Sequence, residues 1–306
     1  MRIHVGTSGY NYPEWRGSFY PEDIKAKDMF AFYARAFRAV EINYTFYRMP
    51  TTKTTTAWES QAPDGFRYVL KAPRRITHDR RLKDCADLVG AFVEAARVLG
   101  DHRGPLLFQL APTFRADTER LAAFLDVLPA DVQAAFEFRH DSWLTDETYR
   151  VLSDRGAALC IADVGERTTP VHATARHGYF RLRDQGYEAA DLERWAETIA
   201  GRAADWDDAW VFFKHEDEGK GAMFARDFTA ILERRGLTGR GQVLIAASHT
   251  SVIPRRAKAA IQDLTPPTGS PAKETRPPAL RPSRHRCPTR GSQRSHSARR
   301  AVPPAP

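Results

Sequence analysis

Charged and amide side chains recur along this sequence, and most of them stand at the end of a short apolar or aromatic run. The candidates are Glu41, Asn43, Lys71, Gln109, Glu137, Arg139, Asp163, Arg181 and Lys214. Buried parallel strands are almost purely apolar, so polar residues repeated at their ends point to a ligand pocket. Carboxylates there could act as general bases or hold a hard divalent cation, and Lys or Arg side chains could bind an anion.

The residue types divide these candidates into two roles. We assign as catalytic Glu41, Glu137, Asp163 and Lys71, and as substrate-binding Asn43, Gln109, Arg139, Arg181 and Lys214. Side chains alternate between the two faces of a strand, so Glu41 shares a face with Asn43, and Glu137 with Arg139. Arg181 shares a face with Arg183 for the same reason. The metal is unknown. Mg²⁺ or Mn²⁺ would suit oxygen ligands, whereas zinc is disfavoured because no His falls within a strand end. His78 follows the third strand and could shuttle a proton, although a hydrogen-bonded loop histidine is the commoner case.

Eight predicted β-strands carry these side chains. They cover residues 3–8, 39–47, 67–71, 106–110, 134–139, 158–163, 178–183 and 209–214. Helical patterns separate several of them, and this alternation is typical of βα units around a parallel sheet. The sequence therefore predicts an α/β fold, a TIM-like (β/α)8 barrel, with its site at the carboxyl ends of the strands.

Five helices are predicted from apolar periodicity and end signals. Residues 82–99 carry one apolar stripe that stops at Gly100, and Asp117 and Thr145 are the N-cap residues of the next two. The last two cover residues 192–204 and 223–232. The link over residues 164–177 is too rich in Thr and Pro for a full helix, which leaves one irregular unit.

The net charge of +8 belongs to the end of the chain. Residues 265–306 hold nine Lys or Arg and one acid, whereas the other 264 residues hold 37 of each sign. Pro, Arg, Ser and Thr dominate this end, which lacks the apolar surface needed to fold. We therefore divide the chain into a barrel domain, residues 1–235, an extension of undecided structure, residues 236–264, and a disordered Arg/Pro-rich tail, residues 265–306. Within the extension, residues 242–247 could form one further strand.

Composition also bears on location and cofactors. The three cysteines, Cys85, Cys160 and Cys287, are far apart and in no metal-ligand spacing, which favours a reduced, cytoplasmic protein. No apolar run approaches the roughly 18 residues of a membrane span, and no signal-peptide pattern opens the chain. Phosphate-loop and dinucleotide-binding glycine patterns are absent, so the sequence predicts no nucleotide cofactor.

Several blocks, in order, resemble one known family. They are VGTSGY at 5–10, WRGSFYP at 15–21, VEINYTFYR at 40–48, FQLAP at 108–112 and EFRHDSW at 137–143. Over residues 3–232 the chain is similar to the YecE-like family, catalogued as domain of unknown function 72. The resemblance implies a TIM-barrel-like fold and no settled reaction, and its last block adds His140 and Trp143 as substrate-binding candidates. The chain departs from many relatives at Arg183-Asp184, where they have His-Gly, and at residues 214–217, where they have an Asn-rich run.

Three functions are open at this stage. An enzyme that acts on an anionic substrate, with hydrolysis of a phosphoester as the best guess, suits the mixed but mainly basic set of side chains. A non-catalytic barrel that binds a nucleotide, a nucleic acid or a partner protein is the first alternative, with the tail adding electrostatic affinity. Glycoside chemistry needs two carboxylates at a set separation and suits the neighbouring bases less well. The expected partner is a small anionic molecule or a nucleic acid, and the sequence does not give the oligomeric state.

Overall fold

Parallel strands close into a ring in the computed structural model of this chain, which describes residues 1–165, 167–184, 186–214 and 219–237. In these ranges the strands are β1 (Arg2–Ser8), β2 (Ala39–Ile42), β3 (Arg67–Lys71), β4 (Arg103–Gln109), β5 (Ala134–Glu137), β6 (Ala158–Val164), β7 (Arg167–Thr168), β8 (His177–Leu182) and β9 (Asp208–Phe213). All but β7 belong to the ring. β1 pairs with β2 and β9, and the pairing of β5 with β6 completes the circle. The predicted TIM-like barrel is confirmed.

Helices connect the strands and cover the outside of the ring. They are α1 (Ala26–Ala36), α2 (Tyr44–Tyr47), α3 (Thr52–Glu59), α4 (Ala86–Arg97), α5 (Thr118–Val127), α6 (Asp146–Asp154), α7 (Ala189–Ala200) and α8 (Lys220–Arg234). Their apolar faces pack against the outward-facing side chains of the strands. Phe92 of α4 and Phe124 of α5, for example, both contact Phe108 of β4. This outer layer forms the larger hydrophobic core.

A second, smaller core fills the inside of the ring. Its members are Ala39, Val69, Leu107, Ala135, Ala158, Cys160, Tyr179, Trp210 and Phe212. Small residues on one side of the ring face the large rings of β8 and β9, so the barrel is packed rather than hollow. Strand side chains repeat with a period of two, so the next inward positions toward the carboxyl ends are Glu41, Lys71, Gln109, Glu137 and Arg181. The polar site therefore lies directly above the apolar filling.

Helix boundaries agree with the sequence where a side chain caps the helix. Asp117 accepts a hydrogen bond from the backbone N–H of Arg120, and Thr145 accepts one from Thr148, as expected of N-cap residues. The helix predicted over residues 82–99 begins only at Ala86. Three residues before it, Arg81, Leu82 and Asp84, have φ angles of +48°, +66° and +46°, which an α-helix cannot contain.

Other helix ends differ from the prediction by a few residues, and two helices were missed. α7 and α8 begin at Ala189 and Lys220, earlier than expected, and α7 ends at Ala200 rather than residue 204. α1 and α3 had no counterpart in the sequence prediction. α3 reads TKTTTAWE, and its four β-branched residues have low helix propensity. Its formation therefore rests on packing.

The strand predicted over residues 39–47 is wrong in its second half. β2 ends at Ile42, and Asn43 adopts helical backbone angles (φ −84°, ψ −19°) that lead into α2. The Thr45 hydroxyl lies 3.0 Å from the carbonyl oxygen of Ile42 and 2.6 Å from that of Lys71, which fixes this turn against β3. The aromatic and β-branched residues of this segment have high strand propensity, but that propensity depends strongly on context and is overridden here.

The link between β6 and β8 has no helix among its described residues, as predicted. It forms a hairpin in which β7 runs antiparallel to β6, with Asp163 opposite Thr168. The possible strand over residues 242–247 and the predicted tail, residues 265–306, lie outside the described residues. In the part of the chain that the structure describes, no helix combines the length and the apolar character needed to cross a membrane.

Candidate active site

Closure of the ring brings charged residues from distant parts of the sequence into one cluster. The strand register places Ser8 beside Glu41, Gln109 beside Glu137, and Ala162 beside Arg181. Because parallel strands end on the same side of the barrel, these positions form one layer near its carboxyl-end mouth. The convergence expected for Glu41, Glu137 and Arg181 is therefore present.

Arg181 is the centre of this layer and bridges the two glutamates. Its Nη2 atom donates a hydrogen bond of 2.8 Å to Glu41 Oε1, and its Nη1 atom donates to Glu137 Oε2. The Tyr179 hydroxyl donates to the other oxygen of Glu41 at 2.7 Å, and Arg139 Nε lies 2.5 Å from the other oxygen of Glu137. All four carboxylate oxygens thus have a cationic or hydroxyl neighbour.

Burial alone would raise the pKa values of both glutamates, but the surrounding cations reverse this effect. The positive charges of Arg181 and Arg139 hold the pKa of Glu137 at about 2. Arg181 and the Tyr179 hydroxyl likewise keep the pKa of Glu41 below its usual value. Both carboxylates are therefore ionised at neutral pH, as buried and well-paired carboxylates can be.

A second layer of cations lies nearer the solvent. Lys71, at the end of β3, retains 9% of its accessible surface. The side chains of Arg139 and Arg183 retain 21% and 17%, and Arg183 Nη1 lies 3.9 Å from Glu137 Oε1. With Arg181, these make four cationic side chains around two carboxylates, so the cluster carries an excess of positive charge.

Lys71 has an unusual environment for a lysine. Its Nζ atom lies 4.3 Å from the centre of the Phe46 ring, a cation–π contact. Burial, together with the charge of Arg181, lowers the pKa of Lys71 to about 8. Near neutral pH this side chain therefore exists in both the charged and the neutral form.

The structure buries three of the candidates that the sequence assigned to the site. Glu41 and Glu137 have no accessible surface, and Arg181 has 3%, so they lie beneath the surface of the mouth in this arrangement. The catalytic roles of the two glutamates and the substrate-binding role of Arg181 stay predictions. Arg181 offsets one of the two carboxylate charges, and Arg139 lies beside Glu137 and offsets the other.

Asp163 does not join the cluster. Cys160 belongs to the apolar filling of the barrel, so Ala162 points inward and Asp163 points to the outer face of β6. There its carboxylate accepts hydrogen bonds from Thr168 (2.9 Å), Tyr187 (2.7 Å) and the indole N–H of Trp195 (3.3 Å). It borders a separate cleft of about 460 Å³ against α7. The expectation that Asp163 shares the mouth is wrong because of this parity.

The remaining candidates divide into those near the cluster and those apart from it. Gln109 Oε1 lies 3.5 Å from Arg181 Nη1, and Asn43 Oδ1 is buried without a hydrogen-bond partner among the described residues. Lys214 follows β9 and is partly exposed. Its backbone N–H is hydrogen-bonded to Leu182 O.

The two candidates from the EFRHDSW block lie in the loop after β5. His140 is partly exposed, and its Nδ1 atom accepts a hydrogen bond from the backbone of Ser142. Trp143 is fully buried, stacks on Phe138 at 4.8 Å and donates its indole N–H to Phe114 O. Trp143 supports the loop from below, and its role in binding substrate stays a prediction.

Sequence reasoning missed two side chains of the site. Tyr179 shares the inner face of β8 with Arg181, and the same period of two could have identified it. Phe46, under Lys71, was hidden by its assignment to a strand. No local pattern indicated its contact with Lys71.

The fold and the site define a TIM-like β/α barrel with a mainly basic mouth. The chain belongs to the family described as "Protein of unknown function DUF72", whose sequence pattern matches residues 4–243. The predicted resemblance is confirmed.

Relatives and solved structures agree with this assignment. The chain is 32% identical over 183 residues to the UPF0759 protein YecE of Escherichia coli (strain K12), a match that covers 57% of this chain and 62% of YecE, less than two thirds of that relative. It is 21% identical over 271 residues to the UPF0759 protein YunF of Bacillus subtilis (strain 168), covering 76% of this chain and 95% of YunF. The crystal structure of a DUF72 family protein from Thermotoga maritima MSB8 is similar with a TM-score of 0.67 at 25% identity, covering 76% of this chain and all of that one.

Proposed function

We propose that this barrel is an enzyme that acts on a small anionic substrate, and that a phosphoester is the substrate class its charges suit best. The observation that carries the proposal is the arrangement of charge in two layers. The acids are sealed and paired, while Lys71, Arg139 and Arg183 above them keep 9%, 21% and 17% of their accessible surface. An anion is the ligand that such a surface attracts, and Arg side chains suit the oxygens of a phosphate.

Lys71 is the acid–base group of this proposal. A general acid or base works best when its pKa is close to the working pH, and the pKa of Lys71 is lowered to about 8. In ester hydrolysis, water attacks phosphorus, the phosphorus–oxygen bond breaks, and the leaving oxygen takes a proton from Lys71. Lys71 regains a proton from the water that attacked. Arg139 and Arg183 balance the charge of the phosphoryl oxygens.

The two carboxylates fit other mechanisms less well. A Mg²⁺ or Mn²⁺ ion held by Glu41 and Glu137 would have to displace Arg181, Tyr179 and Arg139 from their oxygens. Among the described residues, no three His, Cys, Asp or Glu side chains are arranged to hold a metal. Glycoside hydrolysis usually needs one protonated carboxyl group, whereas both of these have lowered pKa values.

Binding without turnover is the alternative that shares the same pocket. A non-catalytic barrel would bind the anion through Lys71, Arg139 and Arg183 and release it unchanged.

A cytoplasmic location stays a prediction from the cysteine usage. The two described cysteines, Cys85 and Cys160, are buried free thiols.

The proposal is tested by measuring phosphate binding and phosphoester turnover with the full chain. Isothermal titration calorimetry with inorganic phosphate should show binding that falls about tenfold or more in Lys71→Met, since a hydrogen bond to a charged group contributes about 1.5–3 kcal/mol. Lys27→Met, on the exposed face of α1, is the matched control and should bind as the wild type does. Hydrolysis of p-nitrophenyl phosphate should be lost in the first variant only. Phosphate binding that does not change in Lys71→Met would contradict the site, and binding without hydrolysis of any phosphoester would favour the non-catalytic alternative.

A further inference from the structure

A partly exposed aromatic ledge lies beside the basic mouth. It consists of Tyr44, Phe46 and Tyr47, all on the one-turn helix α2 directly after β2. Tyr47 is 81% exposed, the largest value among the large hydrophobic side chains that the structure describes, and Tyr44 is 41% exposed. Tyr47 therefore adds almost nothing to the hydrophobic core.

The ledge is continuous with the lysine of the mouth. The Phe46 ring lies 4.3 Å from Lys71 Nζ, and the Tyr47 ring packs edge-on against Phe46 with centroids 5.1 Å apart. The His78 ring also packs edge-on against Phe46, with centroids 5.0 Å apart. Only the Phe46 ring thus separates the Lys71 ammonium group from the exposed Tyr47 ring in this chain of contacts.

The position of the ledge is fixed relative to the cation. Thr45, in the middle of α2, has its hydroxyl 2.6 Å from the backbone oxygen of Lys71 itself. The same hydroxyl lies 3.0 Å from Ile42 O, at the end of β2. Because both acceptor oxygens belong to barrel strands, the position of α2 relative to the end of β3 is set by the fold and not by a loose loop.

We infer that the substrate is an anion that carries a planar ring, and that Tyr47 stacks on this ring while Lys71, Arg139 and Arg183 bind the anionic group. A nucleoside monophosphate is the simplest common molecule of this class. Aromatic side chains bind planar rings through their faces with little dependence on the identity of the ring. The inference rests on the proposed function, because it assumes that the anion lies over Lys71.

The test compares two ligands that share the same anion and sugar and differ in the ring. The affinities of ribose 5-phosphate and AMP are measured by calorimetry with the full chain, its Tyr47→Ala variant and the control Val127→Ala. Val127 is 39% exposed on α5, so the control removes a comparable exposed apolar group from a different element. AMP should bind about tenfold more tightly than ribose 5-phosphate to the wild type and the control, as expected for one base stacked on an aromatic ring. In Tyr47→Ala this advantage should disappear while ribose 5-phosphate binds as before.

Other results overturn the inference in distinguishable ways. Equal affinities for the two ligands in the wild type would show that no ring is recognised, and the proposed anion site would stand. A Tyr47→Ala variant that weakens both ligands equally would show that Tyr47 contacts the sugar or the phosphate. A wild type that binds neither ligand would remove the proposed function together with the inference.

Discussion

Replacing Arg181 by Met is expected to destabilise the barrel strongly, and to do so more at pH 8 than at pH 5. Arg181 is buried and bonds to both Glu41 and Glu137, which have no accessible surface. Removing one partner of a buried ion pair costs about 3–5 kcal/mol. Glu41 keeps Tyr179, and Glu137 keeps Arg139 and Arg183, so we expect a loss of about 4 kcal/mol at pH 8. For a domain of this size, such a loss lowers Tm by about 8–16 °C.

The pH dependence follows from the direction of the pKa shifts. In the wild type the pKa values of both glutamates are lowered, to about 2 for Glu137, so the folded state binds fewer protons than the unfolded state. Their contribution is present above the unfolded-state pKa of about 4.3 and is lost as the pH falls through the folded-state values. Without Arg181, Glu41 loses the cation that does most to lower its pKa, and burial then raises that pKa. The variant then gains stability relative to the wild type as the pH falls, and its deficit shrinks.

Urea unfolding of the wild type and Arg181→Met, followed by tryptophan fluorescence at pH 8, 6.5 and 5, measures both effects. Arg155→Met is the matched control, because Arg155 pairs with Asp126 on the surface, and its midpoint should not change measurably. Adding Glu41→Gln to Arg181→Met should restore part of the lost stability at pH 8, since one unpaired buried charge is removed. A deficit below about 1 kcal/mol at pH 8, or one that grows toward pH 5, would refute the reasoning about a sealed ionic layer.

Three further outcomes are expected. Tyr33→Phe should lower the free energy of unfolding by about 1–3 kcal/mol in urea titrations. The reason is that the buried Tyr33 hydroxyl accepts a hydrogen bond from Thr7 N and donates one to Ala39 O, both at 2.9 Å. A loss too small to detect would contradict this bridge between β1 and β2. The affinity for phosphate should fall between pH 7 and pH 9.5 as Lys71, whose pKa is about 8, loses its proton. Lys71→Arg should keep its affinity for phosphate in the same titration. If the affinities of the wild type and Lys71→Arg changed in parallel with pH, Lys71 would not be the titrating group. Deleting residues 265–306 should leave Tm unchanged in calorimetry, since their composition predicts no core; a large drop would show that they belong to the fold.

The sequence was most informative about the site where the alternation of side chains along a strand decides which residues face the inside of the barrel. Polar residues at the ends of buried strands, together with eight predicted strands, predicted that Glu41, Glu137 and Arg181 would meet. Alternation along β6 could also have excluded Asp163, because Cys160 and Ala162 occupy the inward positions. That error came from judging each strand end by itself rather than by the parity of the whole strand.

Depth within the barrel was the feature that the sequence could not supply. Whether a strand-end side chain is sealed or accessible depends on the stagger between neighbouring strands, which places Ala162 beside Arg181 and Gln109 beside Glu137. Stagger is a property of the closed ring and not of any single segment. The same limit hid the contact of Phe46 with Lys71, because it requires α2 to turn over the end of β3.

The central claim is that an anion binds over Lys71, Arg139 and Arg183 at the mouth of the barrel. The most direct measurement is a crystal structure of the full chain soaked in tungstate, a phosphate analogue whose anomalous signal identifies its position. The account predicts a peak within hydrogen-bond distance of these three side chains, with Glu41, Arg181 and Glu137 unchanged beneath it. A mouth that stays free of tungstate while peaks appear elsewhere on the surface would contradict it.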